Sequence, residues 1–330
     1  MSDLASPIQG GETPGAGAFK KFRRKSSFNS EDVELALLGL PVVVWFILFS
    51  YLPMFGILIA FKRYRPGDGN FITNLLNSDW MGLDNFRFLF QTPDAAIVFR
   101  NTLLYNAVFI ITGIFISVSL AIMMSLMHSK KTAKVTQTMI FLPHFLSWVV
   151  VGYFVFSFLS ADKGLINQML KSVGLPSIQW YLESQYWPYI LVFINLWKGV
   201  GYSMVVYLAS IAGIDVSLYE AASIDGATKW RQVWHITLPM LKPIITILFI
   251  LSVGRIFMSD FGLFYIVPKQ SGPLFNVTQT IDVYVYNALM QRNNLGFAAA
   301  ANLTQSVAGF ITIVSANWIV KKLSPEHAFF

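Results

Sequence analysis

The sequence predicts an all-α protein that crosses a membrane about six times. First, 55% of its 330 residues are hydrophobic and only 12% are charged, and the mean hydropathy of +0.56 lies above the range of soluble domains. Second, the apolar residues form long runs, and about 20 helical residues suffice to cross a hydrocarbon layer of about 30 Å. Third, the chain has no cysteine and four scattered histidines, so we predict neither a disulfide framework nor a metal site.

The N-terminal segment, residues 1–34, is predicted to be a disordered basic tail. It combines glycine, proline, serine and basic residues without apolar periodicity, a composition that cannot bury a core. Its basic residues precede the first apolar run, so the positive-inside rule places the tail in the cytoplasm. They are Lys20, Lys21, Arg23, Arg24 and Lys25.

The remaining chain, residues 35–330, is predicted to be one transmembrane domain. Its first apolar run is too long for a signal peptide, and Pro41 and Pro53 are expected to kink it. The fifth run is the shortest and contains Arg255. The six predicted spans are residues 35–61, 103–127, 135–159, 187–211, 243–258 and 298–320.

The orientation of these spans follows from their basic flanks. Six crossings return the C-terminus, with Lys321 and Lys322, to the side of the tail. Lys62, Arg63 and Arg65 oppose this assignment, but long translocated loops obey the rule poorly. We predict a multi-pass protein with both termini in the cytoplasm. The connectors on that side carry Lys130, Lys131, Lys134, Lys229, Arg231 and Lys242.

The connector at residues 217–239 is predicted to form two short helices joined at a glycine. Ser217 and Glu220 have the spacing of a capping box, which predicts that the first helix begins there. Gly226 permits a left-handed backbone at the joint. Trp230 and Trp234 lie on one face of the second helix, and we interpret them as anchors in the lipid headgroup region.

This connector resembles the EAA loop of ABC-importer permeases at every anchor position. Glu220, Ala221 and Ala222 are followed at the family's spacing by Gly226 and by the sequence ITLP at residues 236–239. Asp225 and Ala227 complete the DGA form of carbohydrate importers. The stretches LPVVVWFILFSYLPMFGILIAFKRY and MGLDNFRFLF resemble the polysaccharide-permease branch, so the likeness covers residues 35–325.

The resemblance implies the six-helix core of a type I ABC-importer permease, with the loop as a cytoplasmic coupling helix seated in an ATPase subunit. The implied ATPase-coupling residues are Glu220, Ala221, Ala222, Asp225 and Gly226. A capping role would also explain Glu220, and for Asp225 we favour the alternative that it satisfies backbone donors at the turn.

The resemblance also implies the assembly around this chain. The expected partners are a second, related permease, two ATPase subunits that bind ATP and Mg²⁺, an extracytoplasmic solute-binding protein and a glycan. The chain itself contains no G-x-x-x-x-G-K-[ST] phosphate loop, and we expect it to bind no cofactor and to catalyse no reaction. The expected location is the bacterial inner membrane, and we expect no nucleic acid among the partners.

Charges inside the spans suggest a solute pathway. Lys198 and Arg255 lie inside predicted spans, where a charged side chain costs free energy, so we expect each to face a cavity or to pair with a partner. Snorkelling, or pairing with a neighbour such as Asp260, carries equal weight. If the two cations line a pathway, they favour an anionic solute such as a uronate glycan, although neutral oligosaccharides remain open. The side chains expected to bind the sugar are Asn195, Trp197, Lys198, Tyr202 and Arg255.

Two other functional classes fit less well. A secondary transporter would also be apolar with buried charges, but no half of the chain repeats, and an EAA loop serves no purpose without an ATPase. A membrane enzyme would need an acid–base constellation. Asp215, Glu220 and Asp225 lie close together in the sequence, but no histidine has a suitable arrangement with them, and we interpret His235 as structural.

Overall fold

A computed structural model describes residues 30–65, 67, 69–91 and 93–323. Most of the predicted tail, residues 1–29, lies outside the described residues. Contacts divide the chain into two units, residues 1–54 and 55–330. In the described part, five helices are long and apolar enough to cross a membrane, or six if one bent pair counts as a span. The prediction of an all-α membrane fold is confirmed.

The first unit consists of a helix that changes type along its length. Helix α1, Ser30–Phe46, contains Pro41 and continues into a π-helical turn at Ile47–Tyr51. A 3₁₀ helix, Leu52–Phe61, follows and extends into the second unit. The described side chains between residues 33 and 54 are not buried, as expected for a segment whose surroundings are lipid.

The second unit opens with a small hairpin ahead of its long helices. Strand β1, Lys62–Arg63, pairs antiparallel with β2, Asp79–Trp80, and helix α2, Phe71–Asn77, connects them. Lys62 Nζ donates to Leu75 O at 2.8 Å, which holds the hairpin closed. Two helices follow, α3 (Asp84–Gln91) and α4 (Pro93–Ser125).

The third predicted span is broken in the structure. Helix α5, Lys130–Phe141, passes through a 3₁₀ turn at Leu142–Phe145 into α6, Trp148–Leu159, and the axes differ by 99°. Pro143 cannot donate a backbone hydrogen bond in this turn. Ser147 then caps α6 by accepting from Val150 N at 3.3 Å. The break therefore creates an irregular backbone segment inside a span.

The remaining elements follow in order. A short helix and the fourth span come next: α7 (Leu165–Ser172) and α8 (Trp187–Ala212). The connector between the fourth and fifth spans contains α9 (Val216–Ile224) and α10 (Lys229–Gln232). The chain ends with α11 (Leu238–Gly254), a π-helical turn (Gly262–Ile266), α12 (Phe275–Thr278), α13 (Ile281–Arg292) and α14 (Leu295–Leu323).

The fifth span begins earlier and ends earlier than predicted. It runs from Lys229 to Gly254, because a π-helical turn at Val233–Thr237 joins α10 to α11. Pro239 and Pro243, expected to mark the return to the membrane, lie within this continuous helix. Leu238 N donates to Val233 O, five residues earlier, in this π turn, and Pro239, which has no backbone donor, follows it directly at the start of α11. Arg255 is therefore the residue that caps α11, and its position inside a span was predicted wrongly.

Three clusters of buried side chains lie in the described part of the second unit; the smallest joins α13 and α14 at Ala288, Phe297 and Ala301, and helix α8 takes part in the other two. One surrounds Trp187 and Leu191 of α8 and Phe264 of the π turn after α11. The other surrounds Met204 and Tyr207 of α8, packed against α4 and α11. Helix α8 contributes to both clusters, so it is the central element against which the flanking helices and their connectors are positioned.

Candidate functional site

The first helix of the connector is capped by a residue other than the predicted one. Asp215 is the N-cap of α9, and its side chain accepts from Ser217 N at 2.9 Å. The predicted capping box of Ser217 and Glu220 is therefore wrong, since Ser217 supplies the donor and the helix begins at Val216. The hydrogen bond from the Ser217 backbone lowers the pKa of Asp215 below its ordinary value, so this cap is ionised at neutral pH.

The joint between the two helices is a left-handed turn at Gly226. Its φ is +77°, as the sequence predicts. Gly226 N donates to Ser223 O at 3.1 Å, and Ala227 N donates to Ala222 O at 2.8 Å, the bonding pattern of a Schellman motif. These backbone carbonyls accept the donors at the turn, so the turn does not use the Asp225 carboxylate, which is exposed.

Side chains clamp the two helices across this turn. Gln232 is 3% exposed, and its Nε2 donates to Ser223 Oγ at 2.8 Å. A second bond joins Tyr219 OH and Thr237 Oγ1 at 3.0 Å. Sequence reasoning missed these residues because polar side chains beside an apolar stripe give no periodic signal. The clamp makes α9, α10 and the start of α11 a single compact element.

The outer surface of this element is available for a partner. Helix α9 has no buried residue: Glu220 and Ala221 are exposed and Ala222 is half-buried. Ile224 at its C-terminal end is 87% exposed. A clamped helix that presents apolar and small side chains is suited to docking on another protein.

A second group of side chains meets at the break between α5 and α6. Lys198 Nζ donates to His144 O at 3.0 Å and lies 5.0 Å from the ring centroid of Trp148. Trp148 Nε1 in turn donates to Asp260 Oδ2 at 3.0 Å. The group therefore links α8, the broken span and the segment that follows α11, and it supplies a cation, a carboxylate and aromatic rings.

Gly262 is required for this arrangement. A Cβ atom built at Gly262 would overlap the indole of Trp148, so a larger residue would displace the ring. Gly262 N also donates to Asp260 Oδ1 at 3.0 Å. The Asp260 carboxylate thus fixes both the following turn and the Trp148 side chain. Sequence reasoning missed Trp148 and proposed a different partner for Asp260.

The structure brings together only some of the predicted pathway residues. Asn195, Lys198 and Tyr202 share one face of α8 through their spacing of three and four residues. Tyr202 stacks on His144, with 4.9 Å between ring centroids. Trp197 lies about 160° around the helix from Asn195, on the other side, so it does not belong to this group.

Arg255 lies apart from this group. It is exposed and lines a cleft of about 440 Å³ between α11 and α14, together with Gln305. The proposed pairing of Arg255 with Asp260 is wrong: among the described residues the ion pair found is Arg87–Asp84, at 3.7 Å. The described residues also contain no cluster of three or more metal-ligating side chains.

Comparisons with known proteins agree with this architecture. Residues 113–325 match the family model described as "Binding-protein-dependent transport system inner membrane component". The polygalacturonan/rhamnogalacturonan transport system permease protein YteP of Bacillus subtilis (strain 168) is 34% identical over 94% of this chain and 95% of its own length.

Two solved structures share the fold. A chain of a bacterial ABC transporter involved in the import of the acidic polysaccharide alginate superposes with a TM-score of 0.80 at 31% identity, covering 89% of this chain and 97% of the other. A second structure is a bacterial alginate ABC transporter in complex with an alginate pentasaccharide-bound periplasmic protein. It gives a TM-score of 0.79 at 31% identity and covers 89% and 96% of the two chains.

Proposed function

The chain belongs to the family of binding-protein-dependent transport system inner membrane components, and from this membership we propose that it is the noncatalytic permease subunit of an ATP-driven importer of acidic oligo- or polysaccharides. It forms half of a pore with a second, related permease. Two separate ATPase subunits bind ATP and Mg²⁺, and an extracytoplasmic protein delivers the solute. The relatives are transport permeases, and the alginate neighbour occurs with a periplasmic binding protein.

The clamped connector is the observation that carries this proposal. Helix α9 is exposed, capped at Asp215 and tied to α10 by Gln232. Helix α10 continues through a π turn into α11, a membrane-spanning helix. A force applied to α9 by an ATPase subunit therefore passes through the Gln232 clamp to α10 and from there through helical backbone to a span, as a rigid coupling element requires. In this proposal Glu220, Ala221, Ala222, Asp225 and Gly226 form the docking surface, on the cytoplasmic side.

The proposed acidic substrate is supported by the group at the broken span. Lys198 supplies a cation next to the aromatic rings of Trp148 and Tyr202, and Asn195 adds an amide on the same face of α8. Aromatic rings pack against sugar faces, while a cation in a region of low dielectric attracts a carboxylate strongly. The neighbouring alginate transporter is involved in the import of an acidic polysaccharide, which agrees with the charge of Lys198.

Purification from the native membrane tests the proposal. The chain is extracted gently, and the proteins that accompany it are identified by mass spectrometry. We expect an ATPase with a phosphate loop and a second permease. Recovery of the chain alone, in a form that transports solute into vesicles without ATP, would contradict the importer and indicate a secondary transporter.

A further inference from the structure

Helix α7, Leu165–Ser172, has an apolar half and a polar half. Successive side chains are about 100° apart around a helix, and at this spacing the two kinds of side chain separate completely. The apolar half consists of Leu165, Ile166, Met169 and Leu170. The polar half consists of Asn167, Gln168, Lys171 and Ser172. A helix divided in this way is suited to a boundary between water and an apolar phase.

The described part of the protein packs against α7 where its two halves meet. Asn167 is buried, and its Nδ2 donates to Ile178 O at 2.9 Å while its Oδ1 accepts from Trp180 Nε1 at 3.1 Å. Ile166 and Leu170, on the apolar half, are half-buried. Each half of the helix therefore keeps one flank free of these contacts.

The free flank of the apolar half is exposed. Leu165 and Met169 lie one turn apart, and Val173, directly after the helix, continues their line by one further turn. All three side chains are exposed. Because burial of apolar surface is favourable, this line is suited to contact with an apolar phase outside the chain.

An apolar crevice shows on which side of α7 the membrane lies. It has a volume of about 460 Å³ and lies between α6 and α8, with Ile166 of α7 among its lining residues. Leu159, the last residue of α6, and Tyr189, the third residue of α8, also line it. The crevice therefore lies where two spans end, on the side of the membrane opposite to α9. Tyr189 is exposed, and tyrosine is enriched at this level of a bilayer. The apolar half of α7 thus faces the hydrocarbon layer.

We propose that α7 is an interfacial helix, with the line of Leu165, Met169 and Val173 immersed in the lipid leaflet opposite to α9. The partner is lipid, because the apolar half is continuous, through Ile166, with the apolar surface of α6 and α8. A soluble protein would approach α7 from the aqueous side and meet its polar half. The apolar face of such a helix enters the bilayer by about 5–10 Å. This inference does not depend on the proposed importer function.

The lipid anchor reaches the central helix of the fold through two hydrogen bonds. Asn167 accepts from the indole nitrogen of Trp180, and Trp180 O accepts from Trp187 Nε1 at 2.6 Å. Trp187 is the first residue of α8 and is buried. Lipid contact at α7 therefore fixes the height of α8 relative to the bilayer surface.

Site-directed spin labelling tests the orientation of α7. The chain contains no cysteine, so each introduced cysteine is its single labelling site. The variants are Leu165→Cys and Met169→Cys on the apolar half, with Gln168→Cys and Lys171→Cys as matched controls on the polar half. Each is purified with the proteins that accompany it and reconstituted into bilayers, and the unsubstituted complex gives the background from those proteins.

Collisions of the labels with oxygen and with a water-soluble nickel chelate are then compared. We expect oxygen to dominate at Leu165→Cys and Met169→Cys, and the chelate to dominate at Gln168→Cys and Lys171→Cys. The same order at all four positions, or labels on the apolar half that neither reagent reaches, overturns the proposal.

Photo-crosslinking in intact cells identifies the partner independently. A photo-crosslinking residue replaces Met169 in one variant and the neighbouring Gln168 in the other. The proposal predicts an adduct with phospholipid acyl chains from position 169 and none from position 168. A crosslink from position 169 to another protein, or the lack of an acyl-chain adduct there, overturns the proposal.

Discussion

Gln232 Nε2 donates to Ser223 Oγ over 2.8 Å and thereby closes the Gly226 turn from its inner side. The Gln232 side chain is buried. Helix α9, which it fastens, has no buried residue of its own. The contact is thus the main internal support of a helix that has little packing of its own. Substitutions of Gln232 test the clamp, and substitutions of exposed residues of α9 test the docking surface, so the two roles can be studied separately.

Loss of the Gln232 side chain should weaken coupling. In Gln232→Ala, the exposed Ser223 hydroxyl loses the hydrogen bond from the buried amide, at a cost of about 0.5–1.5 kcal/mol. We expect faster backbone hydrogen exchange across residues 216–237 and less solute transported per ATP hydrolysed. Gln168→Ala is the control, because the exposed Gln168 of α7 donates from Nε2 to Lys163 O at 3.0 Å. Unchanged exchange and unchanged stoichiometry in Gln232→Ala would refute the clamp.

Replacement of Gly226 should uncouple transport from hydrolysis. A left-handed backbone costs a residue with a side chain about 1–2 kcal/mol, and β-branched residues tolerate it poorly. Gly226→Val should reduce transport strongly while ATP hydrolysis continues, and Gly226→Asn should have a milder effect because asparagine adopts this conformation more readily. The space around Gly226 is open, so the defect comes from the backbone. Normal transport by Gly226→Val at normal expression contradicts the coupling role.

Enlargement of Gly262 should disturb the group at the broken span. The added methyl of Gly262→Ala overlaps Trp148, which should break the bond from Trp148 to Asp260 and lower the transport rate. Trp148→Phe, which removes only the indole donor, should share part of the defect. Gly272→Ala is the control, since nothing lies within 4 Å of its added Cβ. If Gly262→Ala transports like this control, the Trp148–Asp260 bond has no role in transport.

Neutralisation of Lys198 should change the charge preference of transport. Lys198→Gln removes the cation next to Trp148, so uptake of an acidic oligosaccharide should fall by about tenfold relative to a neutral one of equal length, since charged hydrogen bonds contribute about 1.5–3 kcal/mol. Competition uptake in vesicles measures this ratio. Lys171→Gln, at an exposed position of α7, is the control. An unchanged ratio in Lys198→Gln would exclude this lysine as a selectivity determinant.

The sequence predicted the features that depend on local composition. Apolar runs identify spans because a bilayer imposes their length, and Gly226 marks its turn because only a few residues tolerate a left-handed backbone. The choice between Asp215 and Ser217 as the cap depends on backbone angles that neighbouring polar residues do not reveal. The 99° break was missed because the residues on both sides of Pro143 are mostly apolar, with only His144 and Ser147 as polar residues at the break.

Contacts between distant segments could not be predicted from the sequence. Asp260 and Arg255 are five residues apart, which made an ion pair reasonable, yet Asp260 bonds to Trp148 on another helix. Trp197 was grouped with Lys198 by proximity along the chain, although the helical repeat places it on a different face. In both cases the tertiary arrangement of α6, α8 and the segment after α11 decides the partner.

The central claim is that α9 docks on an ATPase subunit, and site-specific photo-crosslinking from Ile224 tests it most directly. Ile224 is 87% exposed at the end of α9, and Val173, 70% exposed after α7, serves as the control position. The account predicts that Ile224 crosslinks in native membranes to a protein with a phosphate loop, and that Val173 does not. Solute uptake without ATP, together with no crosslink from Ile224 to any such protein, would contradict it.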